Sequence, residues 1–131
     1  MSRFSNLSKQ APILEARKFT FANVEGAPFL MSYPAAEINK PFYNESLRRV
    51  AARSRNTRGR KAKVTTDTVA ASRNEDRDML ADFCVVGWGD VVDNEGNTVE
   101  FSKENVKEFL HALPDHEFDD YRAWAQDVTN W

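Results

Sequence analysis

The sequence predicts an α+β protein: a small N-terminal β-hairpin plus helix, a flexible basic linker, and a mainly α-helical C-terminal domain. Three observations predict it. Alternating β-prone residues near 17–21 and 29–33 flank a stretch of turn formers. Apolar residues recur at helical spacing in 43–51, 79–84, 106–113 and 118–128. Between Arg53 and Ala71 that periodicity gives way to clustered Arg and Lys, which have too little to bury to order themselves. The expected segments are a flexible N-terminus over 1–15, hairpin and helix over 16–54, a basic linker over 55–73, and a helical acidic domain over 74–131.

Taken in order, residues 1–14 mix Ser, Asn, Gln and Pro12 without a period and read as a loose terminus. Lys18-Phe19-Thr20-Phe21 and Phe29-Leu30-Met31-Ser32-Tyr33 read as two strands, with Asn23 to Pro28 between them as the turn. Pro34 ends the second strand. Asn39-Lys40-Pro41 opens a helix over about 41–54, because a first-turn proline has no intrahelical N–H to lose. Tyr43, Leu47, Val50 and Ala51 form its apolar stripe. Asn74 is placed to cap a helix over about 75–86, with Glu75 and Asp76 in its first turn and Met79, Leu80, Phe83 and Cys84 on one face. Gly87-Trp88-Gly89 breaks that helix, and Asp93 to Gly96 turns a small excursion back through Thr98-Val99-Glu100-Phe101. Ser102 caps a helix starting at Lys103, Pro114 stops it, and Asp115 caps a last helix. The core is therefore expected mostly in 75–131.

At 131 residues the chain suits one compact domain. Apolar residues make up 41% but charged ones 29%, and the mean hydropathy is -0.62, so much of the chain is expected in solvent. No apolar run approaches the roughly 20 residues of a membrane span, and the start lacks the pattern of a signal peptide, so a soluble intracellular protein is expected. A lone cysteine, Cys84, excludes an intrachain disulfide and a Cys-based zinc site. Charge is strongly divided. Residues 1–74 hold 14 Lys and Arg against 5 Asp and Glu, whereas 75–131 hold 4 against 15. Such a split points to a partner or a second copy more than to a catalytic cleft.

Candidate chemistry is sparse. His111 and His116 straddle Pro114, a poor arrangement for joint metal ligation. Cys84 sits on an apolar face among acids, the reverse of what activates a thiol. The Asp93–Asn97 turn lacks the ligand order of an EF-hand, and Gly87-Trp88-Gly89 lacks the lysine and spacing of a phosphate loop. The carboxylate pairs Asp119-Asp120, Asp90 with Asp93 and Glu75-Asp76 lack the apolar setting that acid–base work requires. No catalytic residue, metal site or cofactor is assigned. The eight cations of 48–63 favour phosphates, but no aromatic residue interleaves them and the acidic half repels a polyanion. Nucleic acid is therefore not the expected partner.

The hairpin ending Ala27-Pro28-Phe29-Leu30-Met31, the Asn39/Tyr43 helix entrance, and the run from Val85-Val86-Gly87-Trp88-Gly89-Asp90 through Asn94-Glu95-Gly96 to Phe101-Ser102-Lys103-Glu104-Asn105 resemble the tail assembly chaperones of long-tailed bacteriophages. The likeness covers about 16–131 and is sharpest in 85–105. The stretch 53–63 is richer in arginine than that pattern needs. The resemblance implies a non-enzymatic protein of the host cell cytoplasm that binds the tape measure protein, keeps it soluble and gathers tail tube protein around it. It also implies that a longer frameshifted form can exist.

For such work Trp88, Tyr121, Trp124 and Trp131 are the expected client-contact residues, the other reading being that Trp88 and Trp124 simply fill the core. Arg58, Arg60, Lys61 and Lys63 are the expected charged contacts, with self-association through the opposite charge of arm and body. Two other readings are a structural accessory protein of the head or tail, retained in the virion, and a nucleic-acid-binding or host-defence-blocking phage protein.

Overall fold

A computed structural model of the chain describes residues 14–56 and 66–131. Eight elements follow in order: β1 (Arg17–Thr20), β2 (Phe29–Ser32), α1 (Lys40–Asn56), α2 (Thr66–Phe83), β3 (Val85–Gly89), α3 (Lys103–Ala112), α4 (Asp115–Gln126) and a closing 3-10 turn (Val128–Asn130). The architecture is α+β, with the hairpin at the N-terminal end and the helices dominating the C-terminal part, as the sequence predicts.

The hairpin pairs Arg17 with Ser32 and Thr20 with Phe29. Its turn closes through Gly26 and Ala27, both at positive φ, where Gly26 has no Cβ to strain the backbone. Gly87-Trp88-Gly89 does not merely break a helix. It belongs to β3, which pairs antiparallel with β2 and completes the sheet order β1-β2-β3. The reason lies in Gly89: a Cβ there would stand 2.3 Å from Phe29 Cζ, so a glycine lets the Phe29 ring lie across the strand.

As the middle strand, β2 buries Leu30 and Ser32. The helices cover them with Leu80, Cys84, Val106, Leu110, Phe118, Tyr121 and Ala125, joined by Phe21 and Val85 from the sheet region. Most of the core thus comes from the C-terminal half. Asn39 is buried and fastens the N-terminal part to it: its Nδ2 donates to the Pro34 and Phe83 carbonyls, each at 3.0 Å.

Ser102 caps α3 as expected, its Oγ accepting from the Asn105 N–H at 3.0 Å. Three further expectations differ. The helix expected over 75–86 runs instead from Thr66 to Phe83, so Asn74 is interior, Val85 and Val86 belong to β3, and 66–73 of the expected basic linker are helical. Residues 68–72 of α2 are all exposed, so Val69, Ala70 and Ala71 give no core-facing period. Ion pairs from Arg73, Glu75 and Asp76 to neighbouring helices hold the turn that follows. Asp115 makes no side-chain cap on α4; its carboxylate turns to Arg77 at 2.8 Å and Arg73 at 3.2 Å. The α1 stripe is not core: Leu47 is 50% and Val50 57% exposed.

Candidate functional site

The helices leave two hollows along α2, walled by α1 and α4. One, of about 370 Å³, is lined by Thr68, Val69, Ser72, Arg73 and Arg122. The other, of about 290 Å³, is lined by Ala35, Phe42, Ser46, Arg49, Val50, Arg53, Glu75, Asp76, Met79 and Gln126. Between them Asp76, Leu80 and Arg122, with Phe42 and Gln126, leave a gap of only about 10 Å³, which the Arg122–Asp76 ion pair spans at 2.8 Å. From Val69 to Met79 the α2 wall runs about 15 Å at the helical rise, the length of roughly three helical turns.

The apolar lining of the hollows is Ala35, Phe42, Val50, Val69 and Met79; the rest is polar or charged, and the edges are ion pairs. Glu75 takes Arg49 at 3.2 Å and Arg53 at 3.1 Å, tying α1 to α2. Arg122 reaches Asp76 at 2.8 Å and Asp119 at 3.1 Å, and Arg73 reaches Asp119 at 3.0 Å, tying α4 to α2. Glu45 is held far below the usual carboxylate range, at about 2, by hydrogen bonds from Arg48 and Arg49. Part of the charge opposition read from the sequence therefore closes within one chain. These links position the walls.

The expected contact residues lie elsewhere. Tyr121 is fully buried and is corrected to a core residue: its hydroxyl meets Ser32 Oγ at 2.7 Å, and burial pushes its ionisation upward. Trp124 is half-buried between Phe19 and Trp131, with ring centroids at 5.2 and 4.7 Å. Trp131 is itself half-buried, its Nε1 enclosed. Trp88 holds the 90–101 excursion: its Nε1 donates to the Val99 carbonyl at 3.1 Å, and its ring meets Phe101 and Phe109 edge-on. Arg58, Arg60, Lys61 and Lys63 lie outside the described residues. Sequence reasoning missed Phe42, Val69 and Met79 as lining residues. The available signal was an apolar stripe on α1 set in unusually basic surroundings.

Cys84 is buried against Asn39 and the Pro34 carbonyl, and burial pushes its thiol up to about 12. His111 pairs with Asp78 at 2.7 Å, while His116 stands exposed beside Glu117. Among the described residues no three His, Cys, Asp or Glu side chains gather as a metal site. Among them, too, no helix is long and apolar enough to cross a membrane.

Fold and surface define a small α+β protein with two shallow hollows along α2 on a highly charged body. Residues 38–131 match the model of the YdaY prophage protein family, and the chain belongs to that family. It is thus phage-derived. No curated protein and no solved structure matches it.

Proposed function

We propose that this protein is a non-catalytic phage tail assembly chaperone that binds the tape measure protein in the host cytoplasm and assists assembly of tail tube protein around it. The lining of the α2 hollows carries the reading. A protein that keeps a long helical client in solution needs exposed apolar side chains on a body too charged to aggregate, and exposed Val50 and Val69, with Phe42 and Met79, line hollows along α2 on such a body. The prophage family supports the setting, and the resemblance of 85–105 to tail chaperones supports the finer assignment.

Co-expression with the tape measure protein encoded by the same prophage tests it. The client should stay soluble and co-purify with the chain. Replacing Val50 and Val69, both solvent-exposed, with Asp should release it without changing the circular dichroism spectrum. A client that remains insoluble, or capture indifferent to both substitutions, would refute this reading. Purified particles should contain almost none of the protein; a stoichiometric amount would identify it as a virion accessory protein instead.

A further inference from the structure

A third hollow, of about 240 Å³, lies between the 90–101 excursion and α3. Trp88, Val91, Val99 and Phe109 form its apolar lining, and exposed Phe101 stands edge-on to the Trp88 ring. Hydrogen bonds fix the walls before anything enters. The Val99 N–H donates to the Val91 carbonyl and Asn105 Nδ2 to the Glu100 carbonyl, both at 2.9 Å, beside the Trp88 bond to Val99. Asp93 Oδ1 accepts from the Glu95 and Asn97 N–H groups, each at 2.9 Å. A hollow built in advance loses little freedom when it is filled.

Asp93 and Glu108 stand in the walls, and Asp90, Glu95, Glu100 and Glu104 are exposed on the same excursion and the first turn of α3. Among the described residues none of these six carboxylates makes an ion pair. The cations nearest in sequence are committed elsewhere: Lys103 to the Ala81 and Asp82 carbonyls, Lys107 to the Asp82 carboxylate and His111 to Asp78. Glu104 and Glu108, four positions apart, share one side of α3 and repel each other. Around α2 the opposite holds, since Glu75, Asp76 and Asp119 each meet an arginine. The chain thus neutralises its acids at the α2 hollows and leaves those around this one bare.

A field of one sign over an apolar recess attracts the opposite charge and repels its own, which turns away nucleic acid and anionic membranes. At about 240 Å³ the recess is smaller than the roughly 300–1,000 Å³ of small-molecule sites and suits a single apolar side chain. Arg48, Arg49, Arg53, Arg73 and Arg122 are all held by acids of their own chain, so the described surface of a second copy does not supply the missing cations.

We propose that the Trp88–Phe109 hollow docks a basic segment of a different protein, one in which a large apolar side chain is flanked by Lys or Arg. The apolar side chain enters between Trp88 and Phe109, and the flanking cations face Asp93, Glu104 and Glu108. Opposite charge steers the encounter and makes it weaken with salt, while the buried anchor supplies the part that salt does not screen. The site shares no lining residue with the α2 hollows, so it does not rest on the chaperone reading and would stand if client capture failed.

Nuclear magnetic resonance titration of the full, isotope-labelled chain with blocked peptides tests it. The probe is a Gly and Ser peptide with a central Leu flanked on both sides by Arg; one control carries Ser for the Leu, the other Glu for every Arg. The probe should shift the Trp88 indole N–H and Asn105 side-chain amide signals, less so at high salt. The Ser control should bind roughly tenfold more weakly or worse, the loss of one buried leucine, and the Glu control should not bind. Glu104→Lys with Glu108→Lys, both at exposed positions, should leave the circular dichroism spectrum unchanged and reverse the preference, taking the Glu peptide and rejecting the Arg probe. Glu108→Gln, which removes a charge without inverting it, should weaken the probe. No shift at Trp88, equal binding of the Leu and Ser peptides, or an Arg probe indifferent to the Glu104 and Glu108 substitutions would each overturn the proposal. So would a Trp88 signal that moves with protein concentration alone, which would assign the hollow to a second copy.

Discussion

The hydroxyls of Ser32 and Tyr121, 89 residues apart in sequence, meet at 2.7 Å with both residues fully buried. Ser32 Oγ also donates to the Tyr33 carbonyl at 2.8 Å, so its hydrogen is committed there and Tyr121 is the donor of the pair. This one bond joins the middle strand to the last long helix. It also explains why a polar residue alternates with Leu30 on the buried side of β2: the serine is there to receive the phenol.

Removing that donor has a defined cost. Tyr121→Phe keeps the ring among Phe19, Phe21 and Trp124 and loses only the bond, so stability to urea should fall by about 1 kcal/mol. Tyr121→Ala empties the site and should cost roughly 3–5 kcal/mol. Equal losses for the two variants would show that the ring contributes nothing.

Cys84 should resist thiol reagents in the native protein. Its folded ionisation lies at about 12 against an ordinary value of 9.0, because burial outweighs the opposing influence of Lys103 and Asn39. A thiol raised on folding favours the native state fully below its unfolded value, and that contribution is lost as pH climbs from about 9 toward about 12. Labelling at pH 8 should therefore follow the unfolding rate, and the urea midpoint should drop between pH 8 and pH 11 less in Cys84→Ala than in wild type. Rapid labelling of folded protein would contradict the burial.

Gly89 and Phe29 form a matched pair across β2 and β3. Gly89→Ala would force the Phe29 ring away and disturb the Lys18 ammonium 4.2 Å above it, at a cost of about 1–3 kcal/mol. Combining it with Phe29→Ala should recover part of that loss, a non-additivity that a double-mutant cycle measures by urea denaturation. Strict additivity would mean the two do not meet.

Arg77 is almost wholly buried, donating to the Leu110 carbonyl at 2.9 Å and the His111 carbonyl at 3.0 Å at the end of α3, and to Asp115 at the start of α4. Arg77→Met keeps much of the volume but leaves those carbonyls without this donor, so a loss of about 3 kcal/mol is expected in thermal or urea unfolding. An unchanged midpoint would show that the helix end is satisfied by other groups.

The residues themselves determined the hairpin, the capped start at Ser102, the stop at Pro114 and the C-terminal location of the core, because each depends on neighbours within a few positions: alternation, a cap, a missing N–H, an apolar period. Tertiary structure alone decided the rest. Gly87-Trp88-Gly89 became a strand through pairing with β2, more than fifty residues away. Arg73, Glu75 and Asp76, in the third turn of α2, are tied to other helices by ion pairs that no period announces. The α2 hollows were legible only as an apolar stripe on α1. Whether Leu47 and Val50 faced a core or solvent, and whether Phe42, Val69 and Met79 lined hollows, turned on where α1 and α4 came to rest against α2. Spacing within a helix fixes which side chains share a face; only the packing of distant segments fixes what that face meets.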